Sequence, residues 1–326
     1  SRATAWDWST LGLYYATMAY NVYLSSLPSY IGQLDAYPED FRKVEAAVLR
    51  QAAAGPDRWA LPEDLHRLRD CYGQAANFRD LRSMALASKV RVVLYENAAH
   101  GGLNVHHRAA NLRRAIQTVS VPSRAHNRLN FWRDWFTNNP LLVLDAAVQH
   151  VTSLGHSPSN VMGRIARNTP RHQWTPATHR RVRTEFQRTL AKELRNSENY
   201  DAHHRMRHKL HRWHLPLIPR PTADRILTRL QQLRHLVAPR VSAAVLSTIW
   251  NRWPTARRLQ RVAPCVFHCS CTAQDSIEHY ACCPIVHAAA LRDLRLDPHQ
   301  WPQALPTFLL CARGEAYSDS FDLTRR

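Results

Sequence analysis

Apolar side chains recur along this chain at the three- and four-residue spacing of amphipathic helices. The clearest helix follows Pro221, where aliphatic residues share one face and arginines lie off it. The aliphatic residues are Ile226, Leu227, Leu230, Leu233 and Val237, and the arginines are Arg225, Arg229 and Arg234. The sequence offers no convincing alternation of apolar and polar residues of the kind that marks strands. The pattern therefore predicts a mainly α fold.

Start and stop signals predict further helices. Pro-Glu-Asp occurs at residues 38–40 and 62–64, and it favours a helix start because proline fits the first turn and acids stabilise the positive end of the helix dipole. These two helices are predicted to end at Gly55-Pro56 and near Gly73. Periodicity predicts helices over residues 5–27, 77–95, 141–151, 180–195 and 241–253. The apolar stripe of the first consists of Trp8, Leu11, Tyr15, Met18 and Val22.

Prolines mark the main predicted interruption. Pro158, Pro170 and Pro176 fall within residues 156–178, and their spacing predicts a loop there. The expected architecture is a helical bundle followed by a basic helical segment and a small knot near the C-terminus. No apolar run approaches the roughly 20 residues that span a bilayer, so a membrane partner is not expected.

Positive charge is concentrated in one part of the chain. Residues 164–261 hold 22 basic and 5 acidic side chains, whereas residues 1–163 hold 17 and 13 and residues 262–326 hold 5 and 7. A block of one sign repels itself unless a polyanion neutralises it, which points to nucleic acid. Arginine codons of a GC-rich genome and an anionic membrane surface are the alternative explanations.

Arginine supplies 40 of the 44 basic residues, and its planar guanidinium suits bidentate contacts with phosphate. We therefore predict that basic side chains of the charged block contact RNA, mainly through phosphates. The predicted contacts are Arg164, Arg167, Arg171, Arg180, Arg181, Arg183, Arg188, Arg205, Arg207, Lys209, Arg212, Arg257 and Arg258.

Five of the seven cysteines lie within residues 265–283, in the run CVFHCSC followed seven residues later by HYACC. Thiolates and an imidazole at such spacing can close a tetrahedron around zinc. The predicted ligands are Cys265, Cys269, His279 and Cys283, with His268, Cys271 and Cys282 as alternatives. A disulfide cluster is less consistent with the adjacent Cys282 and Cys283. Four protein ligands and no obvious general base indicate a structural Zn²⁺.

Two stretches resemble parts of a known family. Residues 251–265 (NRWPTARRLQRVAPC), Asp275-Ser-Ile-Glu-His279-Tyr and Cys283-Pro284 resemble the C-terminal zinc-binding region of non-LTR retrotransposon reverse transcriptases. Residues 27–33 (LPSYIGQ), the following Pro-Glu-Asp helix and residues 54–59 (AGPDRW) are similar to the thumb of those enzymes. The resemblance implies a thumb-like bundle over residues 1–155 and a zinc knot over 261–326, and the concentration of positive charge predicts an RNA-binding segment between them, over 156–260.

Catalysis is not expected from these residues. Polymerases of the family use paired aspartates to bind two metal ions, and no two aspartates are adjacent here. Their nuclease combines carboxylates with a lysine, and no lysine follows Lys209. Glycine-rich phosphate loops of the P-loop or dinucleotide-binding type are also missing from the sequence.

Two functional hypotheses follow, and a DNA-binding regulator is a third alternative. In the first, the chain is a non-catalytic, retroelement-derived RNA-binding protein and a structural subunit of a large ribonucleoprotein, with a mitochondrial ribosome as the expected host. Its partners would be ribosomal RNA and neighbouring subunits. In the second, it is the C-terminal part of an active reverse transcriptase whose palm lies outside this chain, and its location would be nuclear.

Overall fold

The computed structural model describes residues 6–34, 37–56, 59–99, 140–168, 175–196, 199–213 and 220–294. The predicted α class is confirmed, because these residues form helices and one isolated antiparallel bridge, Pro264–Gln274, without a strand. In chain order the helices are α1 (Trp8–Ala19), α2 (Ser26–Leu34), α3 (Phe41–Ala52), α4 (Pro62–Leu65), α5 (Leu68–Tyr72), α6 (Leu81–Ala99), α7 (Pro140–Ser153), α8 (Pro158–Asn168), α9 (Pro176–Asn196), α10 (Ala202–His211), α11 (Arg220–Leu236), α12 (Pro239–Ile249), α13 (Ile277–Tyr280) and α14 (Pro284–Leu294). None of the described helices has the length and apolarity needed to cross a membrane.

The chain divides into two compact units. The first unit contains the described residues of 1–21, 42–78 and 201–326, and the second those of 22–41 and 79–200. These units interleave along the sequence, whereas the predicted domains 1–155, 156–260 and 261–326 are consecutive. The difference arises because helices distant in sequence pack together, which helical periodicity alone does not reveal.

The core of the first unit joins α1, α5, α10, α11 and α12. Its fully buried side chains include Tyr72, Met206, Leu210, Ile226, Leu230 and Leu246. Gly73 ends α5 with φ of 64°, and a Cβ there would lie 1.9 Å from the Leu230 carbonyl oxygen. Glycine therefore serves two purposes at this position, because it adopts a left-handed conformation and lets α5 approach the backbone of α11.

The core of the second unit is organised by α9. Val182, Phe186, Leu190 and Leu194 follow one another every four residues and are buried against α6, α7 and α8. This spacing places them on one helical face. The predicted loop over residues 156–178 is wrong for its first half, because α8 lies there. Pro158 occupies the first turn of α8, where its missing N–H is tolerated, while Val161 and Ile165 are buried.

The apolar stripe predicted for residues 5–27 is only partly correct, because Trp8 is buried but the later members of the stripe are exposed. Leu13, Ala16 and Tyr20 are buried, while Tyr15 is 54% and Met18 42% exposed. The helix is interrupted at Gly12, whose φ is 66°, and a π-helical turn follows at Tyr20–Leu24. Because both features change the rotation from residue to residue, a regular 3.6-residue period assigns the wrong face to the residues after Gly12.

Candidate metal centre and nucleic-acid interface

The structure brings together the four residues predicted as metal ligands. The ligating atoms of Cys265, Cys269, His279 and Cys283 all lie within 4.8 Å of one another. Cys265 Sγ is 4.0 Å from Cys283 Sγ, and Cys269 Sγ is 3.2 Å from His279 Nε2. Cys265, His279 and Cys283 are buried. These four side chains are close enough to hold one metal ion.

Local backbone structure positions the ligands. Residues 265–268 form a tight turn in which the His268 N–H donates to the Cys265 carbonyl at 2.9 Å, and His268 has φ of 51°. At the other end, the Ser276 hydroxyl accepts from the His279 N–H at 3.1 Å and caps α13. The turn presents the first two cysteines, and the capped helix presents the histidine.

Asp275 connects the cluster to the preceding chain. Its carboxylate accepts from the Ala256 N–H at 2.7 Å and from the Tyr280 hydroxyl. Its backbone N–H donates to the Ala263 carbonyl at 3.0 Å, and its carbonyl accepts from the Arg257 N–H at 3.1 Å. The sequence prediction missed this residue because a single aspartate carries no metal-site signal, although it belongs to the quoted Asp275–Tyr280 motif.

The alternative ligands lie in different positions. Cys271 Sγ is 3.5 Å from His279 Nε2, and the structure joins Cys271 to Cys269 through a disulfide. Because a thiolate is the metal ligand, metal binding requires the reduced form of this pair. Cys282 is exposed and its thiol contacts the carbonyls of Glu278 and His279. His268 is also exposed and lies outside the cluster.

Burial also changes the acidity of groups in the knot. Burial raises the pKa of the Cys265 thiol, and the nearby Cys283 thiol acts in the same direction. The backbone N–H groups of Phe267 and Cys269 oppose this, because hydrogen bonds to sulfur favour the thiolate. Burial, together with the hydrogen bond to Asp275, raises the pKa of Tyr280.

The predicted nucleic-acid contacts are divided between the two units. Arg164, Arg167, Arg180, Arg181, Arg183 and Arg188 belong to the second unit, and Arg205, Arg207, Lys209, Arg212, Arg257 and Arg258 to the first. Arg171 lies outside the described residues. Two of the exposed arginines form ion pairs, since Arg164 contacts Glu193 and Arg257 lies 3.1 Å from Glu278.

The outer face of α9 is the most regular basic surface. Arg181, Arg188 and Lys192 are exposed and fall within about 40° of one another around the helix, opposite Val182, Phe186 and Leu190. They extend over about 16 Å along the axis. We call these three residues the α9 basic face. The sequence prediction did not include Lys192. Glu185 is exposed on the same side of the helix, about 20° from Lys192 and one turn from both Arg181 and Arg188, so one carboxylate lies among these cations.

Two of the predicted contacts point into the first unit. Arg205 donates to both carboxylate oxygens of Asp64 at 2.8–3.0 Å, and Asp64 is 0% exposed. Lys209 is 2% exposed, donates to the Trp59 carbonyl and lies 5.1 Å above the Trp250 ring. The predicted contact through Lys209 is therefore wrong, because its ammonium group is not available to phosphates at the surface, while the Arg205 side chain, 16% exposed, is held by Asp64.

Comparisons with known protein families, curated proteins and solved structures gave no match for this chain. Its function is therefore inferred from the Cys/His cluster and from the basic surfaces of the two units. The four side chains of the cluster lie close enough to hold a metal ion, and exposed arginines occur in both units.

Proposed function

We propose that this chain is a non-catalytic RNA-binding protein whose C-terminal knot is held by a structural zinc ion. The observation that carries the proposal is the α9 basic face, on which the helix buries its apolar side and directs Arg181, Arg188 and Lys192 to solvent. Successive cations on one rigid helix can contact successive phosphates, which supplies affinity without sequence specificity.

Zinc fits the donor set and its spacing. In a tetrahedral site with Zn–S of about 2.3 Å and Zn–N of about 2.0 Å, two sulfurs lie about 3.8 Å apart and a sulfur–nitrogen pair about 3.5 Å apart. The Cys265–Cys283 distance of 4.0 Å and the Cys269–His279 distance of 3.2 Å lie close to these edges. Three thiolates and one imidazole are also ligands that zinc prefers.

A structural role for zinc agrees with the surroundings of the cluster. Four protein ligands leave no open position for water. The nearest carboxylate in sequence, Glu278, lies 3.1 Å from the Arg257 guanidinium and is therefore engaged in an ion pair. A catalytic zinc would need both an open position and a free general base.

We propose that the chain is a structural subunit of a large ribonucleoprotein, with ribosomal RNA in a mitochondrial ribosome as its expected partner. The missing aspartate pair supports a binding protein over an enzyme. The second candidate, the C-terminal part of a longer reverse transcriptase, is favoured by the likeness of residues 251–265 and 275–284 to that family. Mapping the full transcript separates the two, because an upstream palm in the same reading frame supports the second.

Charge reversal tests RNA binding directly. The variant Arg181→Glu/Arg188→Glu/Lys192→Glu should weaken binding to unrelated hairpin RNAs and lower the slope of log K against log salt by roughly two to three. The matched control is Arg42→Glu/Lys43→Glu/Arg50→Glu, which reverses two arginines and one lysine exposed on α3. If both variants lose affinity equally, net charge and not the α9 basic face explains binding, and the proposal is wrong.

A further inference from the structure

The outer face of α10 is rich in histidine. The helix buries Met206, Lys209 and Leu210 against the core of the first unit. On the opposite side His204, His208 and His211 are exposed and lie four and three residues apart. This spacing places the three imidazoles within about 60° of one another around the helix. We call these three residues the α10 histidine face.

The acidic residues near α10 are already engaged. Asp201 caps the helix by accepting from the N–H groups of His203 and His204 at 2.9 and 3.0 Å. The Asp224 carboxylate of α11 contacts Nδ1 of the neighbouring His203, and Asp64 of α4 is held by Arg205. The sequence of α10 itself contains no acidic residue.

Nearby cations act on the histidine face. Burial is the largest cause that lowers the pKa of His208, and Arg212 at the end of α10 acts in the same direction, as do Arg205 and Lys209, whose side chains point into the core. Arg220 at the start of α11 lies near Asp201. Protonating the histidines therefore adds charge to an already positive surface, which is unfavourable unless an anion is present.

We propose that the α10 histidine face is a second RNA-binding surface, on which protonated His204, His208 and His211 contact phosphates. The inference rests on the proposed function for its ligand, but it concerns a different unit and a different residue type from the α9 basic face. Charge complementarity identifies the partner as a polyanion, and exposed imidazoles at one-turn spacing match a phosphate backbone that follows the helix.

The proposal predicts that RNA affinity depends on pH, because binding is coupled to protonation of the histidines. RNA favours the imidazolium form, so binding raises the pKa of each contacting histidine and takes up protons. Affinity then rises as pH falls through the histidine range, by up to about tenfold per pH unit for each proton taken up. The salt slope steepens at the same time, by roughly two to three if all three imidazolium groups neutralise phosphates.

The test uses the full chain and a fluorescein-labelled hairpin RNA, with binding followed by anisotropy from about pH 8 to about pH 5.5. The wild type should bind more tightly at low pH, and His204→Asn/His208→Asn/His211→Asn should lose this increase while keeping its affinity near pH 8. His150→Asn/His235→Asn, which changes exposed histidines elsewhere, should behave as the wild type does. Replacing the three histidines by arginine should give tight binding without pH dependence.

Several outcomes would overturn the inference. If the asparagine variant keeps the full pH dependence, other groups titrate and the α10 histidine face is not involved, while the proposed function stands through α9. One additional zinc per chain that the asparagine variant lacks would assign the histidines to a metal. Absence of RNA binding by the wild type at every pH would overturn both proposals. If reversing the charges of the α9 basic face abolishes RNA binding at every pH, while the asparagine variant of α10 binds as the wild type does, only the proposal about the α10 histidine face is overturned.

Discussion

Lys209 should make the stability of the first unit depend on pH. Its ammonium group is 2% exposed, and burial lowers the pKa of Lys209 from 10.5 to about 7. Arg205 and Arg212 act in the same direction, while Asp64 opposes them. Between these two pKa values the unfolded chain carries a proton that the folded chain has released. Stability therefore rises with pH across this window, and below about pH 7 the full cost of burying the charge remains.

Substitution by methionine removes the titration while filling similar space. From about pH 7 to about pH 9 the free energy of unfolding of the wild type should rise by roughly 2 kcal/mol relative to Lys209→Met. The control is Lys192→Met, which removes the same charge from an exposed position and should leave the pH dependence unchanged. Urea unfolding monitored by tryptophan fluorescence measures the free energy of unfolding of the wild type and of each variant, since Trp59 and Trp250 lie beside Lys209.

The reasoning about Lys209 fails if Lys209→Met and the wild type change in parallel with pH. In that case the ammonium group stays protonated in the folded state, and its contacts with the Trp59 carbonyl and the Trp250 ring outweigh burial. Taking the difference between the two proteins cancels the titration of other groups, because every other ionisable side chain is common to both.

Three further predictions concern stability and the metal. Gly73→Ala should destabilise the first unit by more than about 3 kcal/mol. Gly12 also has positive φ but has open space around it, so Gly12→Ala should destabilise the unit by only about 1–2 kcal/mol. Thermal unfolding of the two variants measures this difference. Elemental analysis of reduced protein should find about one zinc per chain, and chelation should increase hydrogen exchange in residues 262–290 while residues 68–78 stay protected. His279→Ala should reproduce the effect of chelation in the same measurement, and His268→Ala should not.

Helical periodicity and ligand chemistry were sufficient to predict part of the structure from the sequence. The helix after Pro221 buries Ile226, Leu227 and Leu230 as predicted, because an uninterrupted amphipathic pattern defines its own inner face. The four predicted metal ligands meet because a tight turn and a short capped helix bring them together over only 19 residues. Local signals suffice where the contacts themselves are local.

Charge counting could not show which cations reach the surface. Arg205 and Lys209 contribute to the basic block in the sequence, yet their partners, Asp64 and the Trp59 carbonyl, lie 141 and 150 residues away. A single sequence gives no sign of such pairs, and an arginine on a helix looks the same whether it faces solvent or a buried aspartate. The neighbouring histidines, although not among the predicted contacts, form the exposed side of the same helix.

The proposed zinc ion would take the place of a hydrophobic core in the C-terminal knot. Among residues 262–293, the buried apolar side chains are Cys265, Ile277, Ala281 and Cys283, and two of these are proposed ligands. Val262 is 99% exposed and Val266 53% exposed, so neither adds to a core. Burying Ile277 and Ala281 contributes only about 3 kcal/mol, whereas a structural zinc contributes on the order of 10 kcal/mol in small peptides. The knot should therefore depend on the proposed metal, while α5, α10, α11 and α12, with their own apolar core, should keep their fold and the proposed RNA-binding surface without it.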